Sequence, residues 1–196
     1  MNMHIQTLQE LSIIKKVVYE NEEKFTAHEL DKSCLNIKDI TAFANEVKIA
    51  DVKDVLMRQI EYNYAISEEG LQNTWGAQIG KIIREEEGDQ LKWKMISRAA
   101  AGSDARMSGC SLPVIINAGS GNQGMTCSLP VIEYAKERET EEELLRALCV
   151  SNLIAQDQKR YIGALSAYCG VVCAAAGAGA AITYLCGEMK NRLKIP

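Results

Sequence analysis

Polar and apolar residues change rhythm once along this chain, near residue 36. Before it, Ile13-Ile14-Lys15-Lys16-Val17-Val18-Tyr19 and Lys24-Phe25-Thr26 flank the polar run Glu20-Asn21-Glu22-Glu23. That pattern predicts a β-hairpin with a polar turn. Two strands alone are marginal, so residues 1–35 read as the remnant of a preceding domain whose sheet they would complete. After residue 36 the helical period takes over, and residues 36–196 read as one helical domain.

Asn36 is placed to cap a helix running to about Ala44. A longer helix from about Ala50 to Glu69 sets Val52, Val55, Leu56, Ile60 and Tyr64 on one face, and Gly70 is expected to end it. Trp75 to Glu87 and Gln90 to Ala101 read as two more, broken at Gly88-Asp89. Thr140, with Glu143 three residues on, forms a capping box that opens a helix to about Tyr161. The runs Lys136-Glu137-Arg138-Glu139 and Glu141-Glu142-Glu143 read as solvated surface.

From Ile162 to Gly187 no charged residue occurs, a length that would span a membrane. Much of the stretch is Ala and Gly, whose transfer energies are weak. A buried central helix, packed closely through its small residues and carrying Cys169, fits better. The fold class expected is therefore mainly α, with a buried Ala/Gly-rich central helix and a short N-terminal β-hairpin.

With 196 residues the chain is long enough for a substantial core. Its formal net charge of −4 comes with no basic stripe, which argues against nucleic acid or an anionic membrane as partner and favours a small molecule. Seven cysteines, an odd number without a C-x-x-C pair, read as reduced thiols of a cytoplasmic protein. Cys149, Cys173 and Cys186 read as small hydrophobes. His4 and His28 lie in polar surroundings and read as solvated.

The candidate chemistry sits mid-chain, where Gly119-Ser120-Gly121-Asn122-Gln123-Gly124 follows Val114-Ile115-Ile116. Three glycines at this spacing let backbone N–H groups converge on an oxygen-rich group. The loop also matches the dinucleotide pattern G-x-G-x-x-G, and Val114-Ile115-Ile116 could be the strand before it. That pattern needs an acidic residue ending a second strand about 20 residues on, and the matching region here, Thr140 to Glu143, opens a helix instead. About a dozen residues earlier, Ser103-Asp104-Ala105-Arg106-Met107 offers a guanidinium fork suited to a carboxylate, and an acid that could hold the fork or take a proton.

These motifs together, with Asn117-Ala118 before the loop, Leu129-Pro130-Val131 after it and Leu165-Ser166-Ala167-Tyr168-Cys169, resemble the L-cysteine desulfidase family, also described as serine dehydratase alpha-chain-like. The resemblance covers most of the chain. It implies a cytoplasmic lyase that removes the β-substituent of a small amino acid with an aconitase-like 4Fe–4S cluster, three irons held by protein thiolates and the fourth open to substrate. L-Cysteine would give sulfide, ammonia and pyruvate, and L-serine is the alternative substrate. Cys169 matches the family's cluster cysteine; Asp104, Arg106, Gly119, Ser120, Gly121, Asn122, Gln123 and Gly124 match the substrate pocket.

Members of that family are longer and carry further cysteine segments that this sequence lacks, and Cys110 and Cys127 match none of the cluster ligands. With one of three thiolates, the chain is expected to be a fragment or one subunit of a split enzyme, holding the cluster only with a second chain or the missing segments. A noncatalytic binding or assembly domain is the alternative from another class. Two geometric expectations follow: Arg106 and Asn122 share one concavity, and the Cys169 thiol opens toward the same space.

Overall fold

The structure is a computed structural model in which residues 34–136, 139–162 and 169–187 are described. The expected hairpin, His4 and His28 lie outside those residues. Seven helices follow in order among the described residues: α1 Ile37–Glu46, α2 Ile49–Gln72, α3 Ile79–Glu87, α4 Leu91–Met107, α5 Gly121–Ala135, α6 Glu141–Ile162 and α7 Val171–Leu185. No strand occurs among the described residues, and Val114-Ile115-Ile116 is irregular chain leading to a single bridge, Asn117 with Ser120. Among the described residues no parallel sheet leads into the glycine motif, as the dinucleotide-binding unit would require.

The helix ends follow their local chemistry. Asn36 Oδ1 accepts from Asp39 N at 3.0 Å and starts α1. The capping box is reciprocal: Glu143 N donates to Thr140 Oγ1 at 3.3 Å, and Thr140 N donates to Glu143 Oε2 at 2.8 Å. Those backbone and hydroxyl donors hold the Glu143 carboxyl below its ordinary range. Gly88, at φ 74°, closes α3 in a conformation that side chains resist.

Two helix boundaries differ from expectation for one physical reason. Gly70 does not end α2, which continues to Gln72. Its missing side chain lets α4 approach: a Cβ there would stand 2.0 Å from the Ala101 carbonyl oxygen. In the same way α5 begins inside the glycine motif, where a Cβ on Gly124 would stand 1.9 Å from the Ile115 carbonyl oxygen. Both glycines serve close approach within helices, not chain reversal.

The central helix is α5, not the Ala/Gly-rich segment. It packs against α2, α4, α6 and α7, and Met125, Cys127, Leu129 and Val131 are fully buried on it. Pro130 lies inside it at a partly exposed position, where the missing N–H is tolerated best. The segment expected to form one helix from Ile162 to Gly187 instead contributes the last residue of α6 and, from Val171, a separate α7. That helix buries Cys173, Ala174, Gly177, Ala178 and Ala181 on one side and leaves Val172 61 % exposed. The stripe of small residues lets α6 and α5 come close: a Cβ on Gly177 would meet Ser151 O at 2.4 Å, and Ala174 is buried with Cys127 and Ala155. No helix among the described residues is long and apolar enough to cross a membrane.

On α2 the expected apolar face is only half right. Leu56 is buried but Val55 is 58 % exposed, and the buried positions continue as Gln59, Asn63, Ile66, Ser67 and Gly70. Polar groups thus enter the interior along one side of a helix, and they lead to the candidate site.

Candidate functional site

Asn117-Ala118-Gly119-Ser120 is a tight turn whose central residues both have positive φ, 48° at Ala118 and 84° at Gly119. Asn117 N donates to Ser120 O at 3.1 Å and Ser120 N to Asn117 O at 3.0 Å, which closes the turn. Alanine in this region is strained by about 1–2 kcal/mol, so the surrounding structure must impose the shape. Of the three motif glycines, only Gly119 needs its conformational freedom.

Ser120 then becomes the N-cap residue of α5, but its hydroxyl makes no capping bond. The first N–H groups of α5 thus lack a cap from the Ser120 side chain, at the positive end of the helix dipole. Arg106, at the last turn of α4, reaches this end: Nη1 donates to Asn122 Oδ1 at 3.1 Å. Gly121 makes room, since a Cβ there would meet Arg106 Nε at 2.4 Å. Arg106 and Asn122 are therefore brought into contact.

Asp104 is not part of this pair. Its carboxylate accepts from Gly80 N at 3.2 Å and satisfies an early N–H of α3, whose own N-cap Gln78 offers no side chain. Two residues apart on a helix, Asp104 and Arg106 point to different neighbours.

Gln123 and Asn117 are both buried, and each has a carbonyl oxygen without a partner among the described residues. Asn117 Nδ2 is fully used, donating to Asn152 Oδ1 at 2.8 Å and to Asn152 O at 3.2 Å. Gln123 lies against Gly170, where a Cβ would stand 2.4 Å from its amide. An unpaired buried acceptor costs about 1–3 kcal/mol, which makes two beside one helix end a feature in need of a donor.

Beneath them runs a polar layer that sequence reasoning missed. Asn152 exchanges hydrogen bonds with Gln59 at 2.8 and 3.0 Å and accepts from the Cys127 thiol at 3.4 Å. Asn63 donates to Ser128 Oγ at 3.0 Å and accepts from Ile115 N at 2.9 Å, which fixes the irregular segment before the turn. Gln59, Asn63 and Ser67 recur at four-residue spacing on the side of α2 that holds Leu56 and Ile66. Polar residues repeating on an apolar face were the available signal.

Cys169 is exposed and precedes α7 instead of lying on it, so it does not share a helical face with Cys173, which is buried. It adjoins Gly170, the residue in contact with Gln123. Cys127 is sealed in the core and burial pushes its thiol up to about 12; burial likewise raises Cys149, to about 11. Cys186 is exposed beside the Tyr134 hydroxyl at 3.1 Å, so it is no core hydrophobe. Among the described residues, no three Cys, His, Asp or Glu side chains converge as a metal site would require.

The family model described as serine dehydratase alpha chain matches residues 9–194. A "UPF0597 protein" of Lachnoclostridium phytofermentans is 56 % identical over 179 residues, covering 90 % of this chain and 43 % of that protein. Similar proteins of the same description occur in Finegoldia magna, 52 % identical over 80 % of this chain and 37 % of the relative, and in Treponema denticola, 51 % identical over 83 % and 41 %. The chain thus spans about two fifths of the length of these relatives. No solved structure matches.

Proposed function

The chain belongs to the serine dehydratase alpha chain family, and from that premise we propose that it forms the substrate-holding helical part of a cytoplasmic, iron–sulfur-dependent amino-acid lyase acting on L-cysteine. The reaction is a β-elimination: the α-proton and the β-thiolate leave, and the aminoacrylate formed rearranges and hydrolyses to pyruvate and ammonia. One observation carries the reading. Arg106 reaches the uncapped start of α5, beside two buried amide oxygens that lack donors.

A zwitterionic amino acid has the complementary charges. Its carboxylate suits the Arg106 fork and the N–H groups of Gly121 to Gln123, with Ser120 and Gly119 shaping the approach. Its ammonium group suits the Asn117 and Gln123 oxygens, each of which would gain the donor it lacks. Asp104, already committed to α3, holds the scaffold and not the substrate.

A 4Fe–4S cluster on three thiolates does not fit the described residues alone, which offer one exposed thiol, Cys169, near Gln123. The cluster reading therefore requires further thiolates from a second chain or from the rest of a longer protein. Lewis-acid activation of the leaving group is the chemistry such a cluster supplies.

The test is anaerobic iron–sulfur reconstitution of the chain together with the remaining part of a relative, about three fifths of its length, followed by assay of pyruvate, ammonia and sulfide with L-cysteine and L-serine. Pyruvate with sulfide is expected, with the rate on serine lower. Arg106→Gln should raise KM about tenfold or more, since a charge-assisted bond contributes roughly 1.5–3 kcal/mol. Arg106→Lys should recover only part, because a point charge lacks the fork. Pyruvate from serine alone would reassign the substrate; no turnover of either would favour a binding domain.

A further inference from the structure

At the other end of α5 from the turn, a cleft of about 290 Å³ opens between α3, α4 and α5, lined by Arg84, Lys94, Arg98 and Lys136 with Asp89 and Glu133. Four cations face two carboxylates in a molecule whose overall charge is −4. Part of this charge is internal structure. Arg98 Nε binds the buried Glu133 at 3.0 Å, its Nη1 binds Glu68, and Lys136 reaches Glu133 at 3.3 Å. Lys136 is therefore a member of this cluster and not merely solvated charge.

The remainder is not neutralised. Lys94 has no ion-pair partner among the described residues. Arg84 uses Nε on Asp89 at 3.0 Å, while its Nη1 is buried and has no hydrogen-bond partner. Even with Glu68 counted, one positive charge is in excess. The same cleft includes Leu91, the first residue of α4, a helix of 17 residues whose N-cap Gln90 makes no side-chain capping bond. Asp89, the nearest acid, is held by Arg84 instead.

An unpaired ammonium, a guanidinium with a buried idle N–H edge and an uncapped helix start all favour the same occupant. From their convergence we infer that this cleft binds a small dianion, its charge carried by one phosphate or by two carboxylates. Glu133 and Arg98 form its floor, and Arg84 and Lys94 make the contacts that distinguish ligand from water. A cleft of this volume accommodates a compact anion. About 18 Å of helix separates Glu133 from Gly121, so this site is distinct from the turn.

Two probes, inorganic phosphate and malonate, are titrated against the chain at constant ionic strength, with chloride as balancing salt, and read by calorimetry and melting temperature. Saturable binding of either at millimolar concentration or below supports the site and identifies which dianion it takes. The Arg84→Gln/Lys94→Gln double variant should fold normally, because neither side chain holds Glu133, and should weaken binding about tenfold or more. A response that does not saturate, or one unchanged in the double variant, overturns the inference. Neither result depends on lyase activity.

Discussion

Asn117 has both N–H bonds of its side chain used and its oxygen bare, although it lies inside the protein. On the proposed reading this oxygen takes the substrate ammonium, and left unpaired it costs the fold about 1–3 kcal/mol. Asn117→Ser, which shortens the side chain, should therefore weaken amino-acid binding much more than it weakens folding; calorimetric titration beside a urea curve separates the two. Cys127 tests burial at the same scale. In the unfolded chain its thiol ionises near 9.0, whereas the folded protein holds the proton to about 12. Above pH 9 the unfolded state thus binds fewer protons, and stability falls as pH rises from 9 toward 12. At pH 10.5 the loss from this group should be about 1–2 kcal/mol. Cys127→Ala should flatten the fall between pH 8 and 10.5, leaving the share that Cys149 contributes; an unchanged slope would mean that the thiol is not sealed as described.

Helices here are joined through glycines, and two of them on α7 give opposite expectations. A Cβ on Gly177 would stand 2.4 Å from Ser151 O, while one on Gly179 would meet nothing within 4 Å. Gly177→Ala should destabilise by about 1–3 kcal/mol through overpacking against α6. Gly179→Ala should stabilise by roughly 0.5–1 kcal/mol, because alanine loses less backbone entropy in a helix. Urea denaturation of both variants is the check, and shifts of the same sign would contradict the packing. Gly70 makes the corresponding point about reading sequence. Its position after an apolar period looks like a helix stop, yet the chain continues helically because α4 needs the space of the absent side chain.

Across the whole domain, polar groups are buried in connected sets. The Arg98–Glu133 pair joins α4 to α5, with the Arg98 guanidinium 4.3 Å from the Tyr64 ring on α2. Glu133→Leu alone should cost about 3–5 kcal/mol by leaving a buried guanidinium short of a partner. The double change Arg98→Met/Glu133→Leu should cost markedly less, although Glu68 is then released. A double variant as unstable as the two single losses added would show that the pair is not coupled.

The positions that the chain itself determined are those where the controlling contacts are close in sequence. Asn36 reaches Asp39, Thr140 reaches Glu143, and Gly88 breaks a helix by its own φ, so local patterns located these ends and the mainly helical class. The neighbourhood of the glycine motif was legible too, since Arg106 and Asn122 do meet. Tertiary structure alone decided which helix is central, because apolar composition does not distinguish α7, packed on α5 and α6, from α5, packed on α2, α4, α6 and α7. It also turned Asp104 toward Gly80 and brought Gln59 and Asn63 of α2 beneath residues 115–152. Those bonds join residues between 24 and 93 positions apart, and no periodicity records the partner of a polar side chain at such separations.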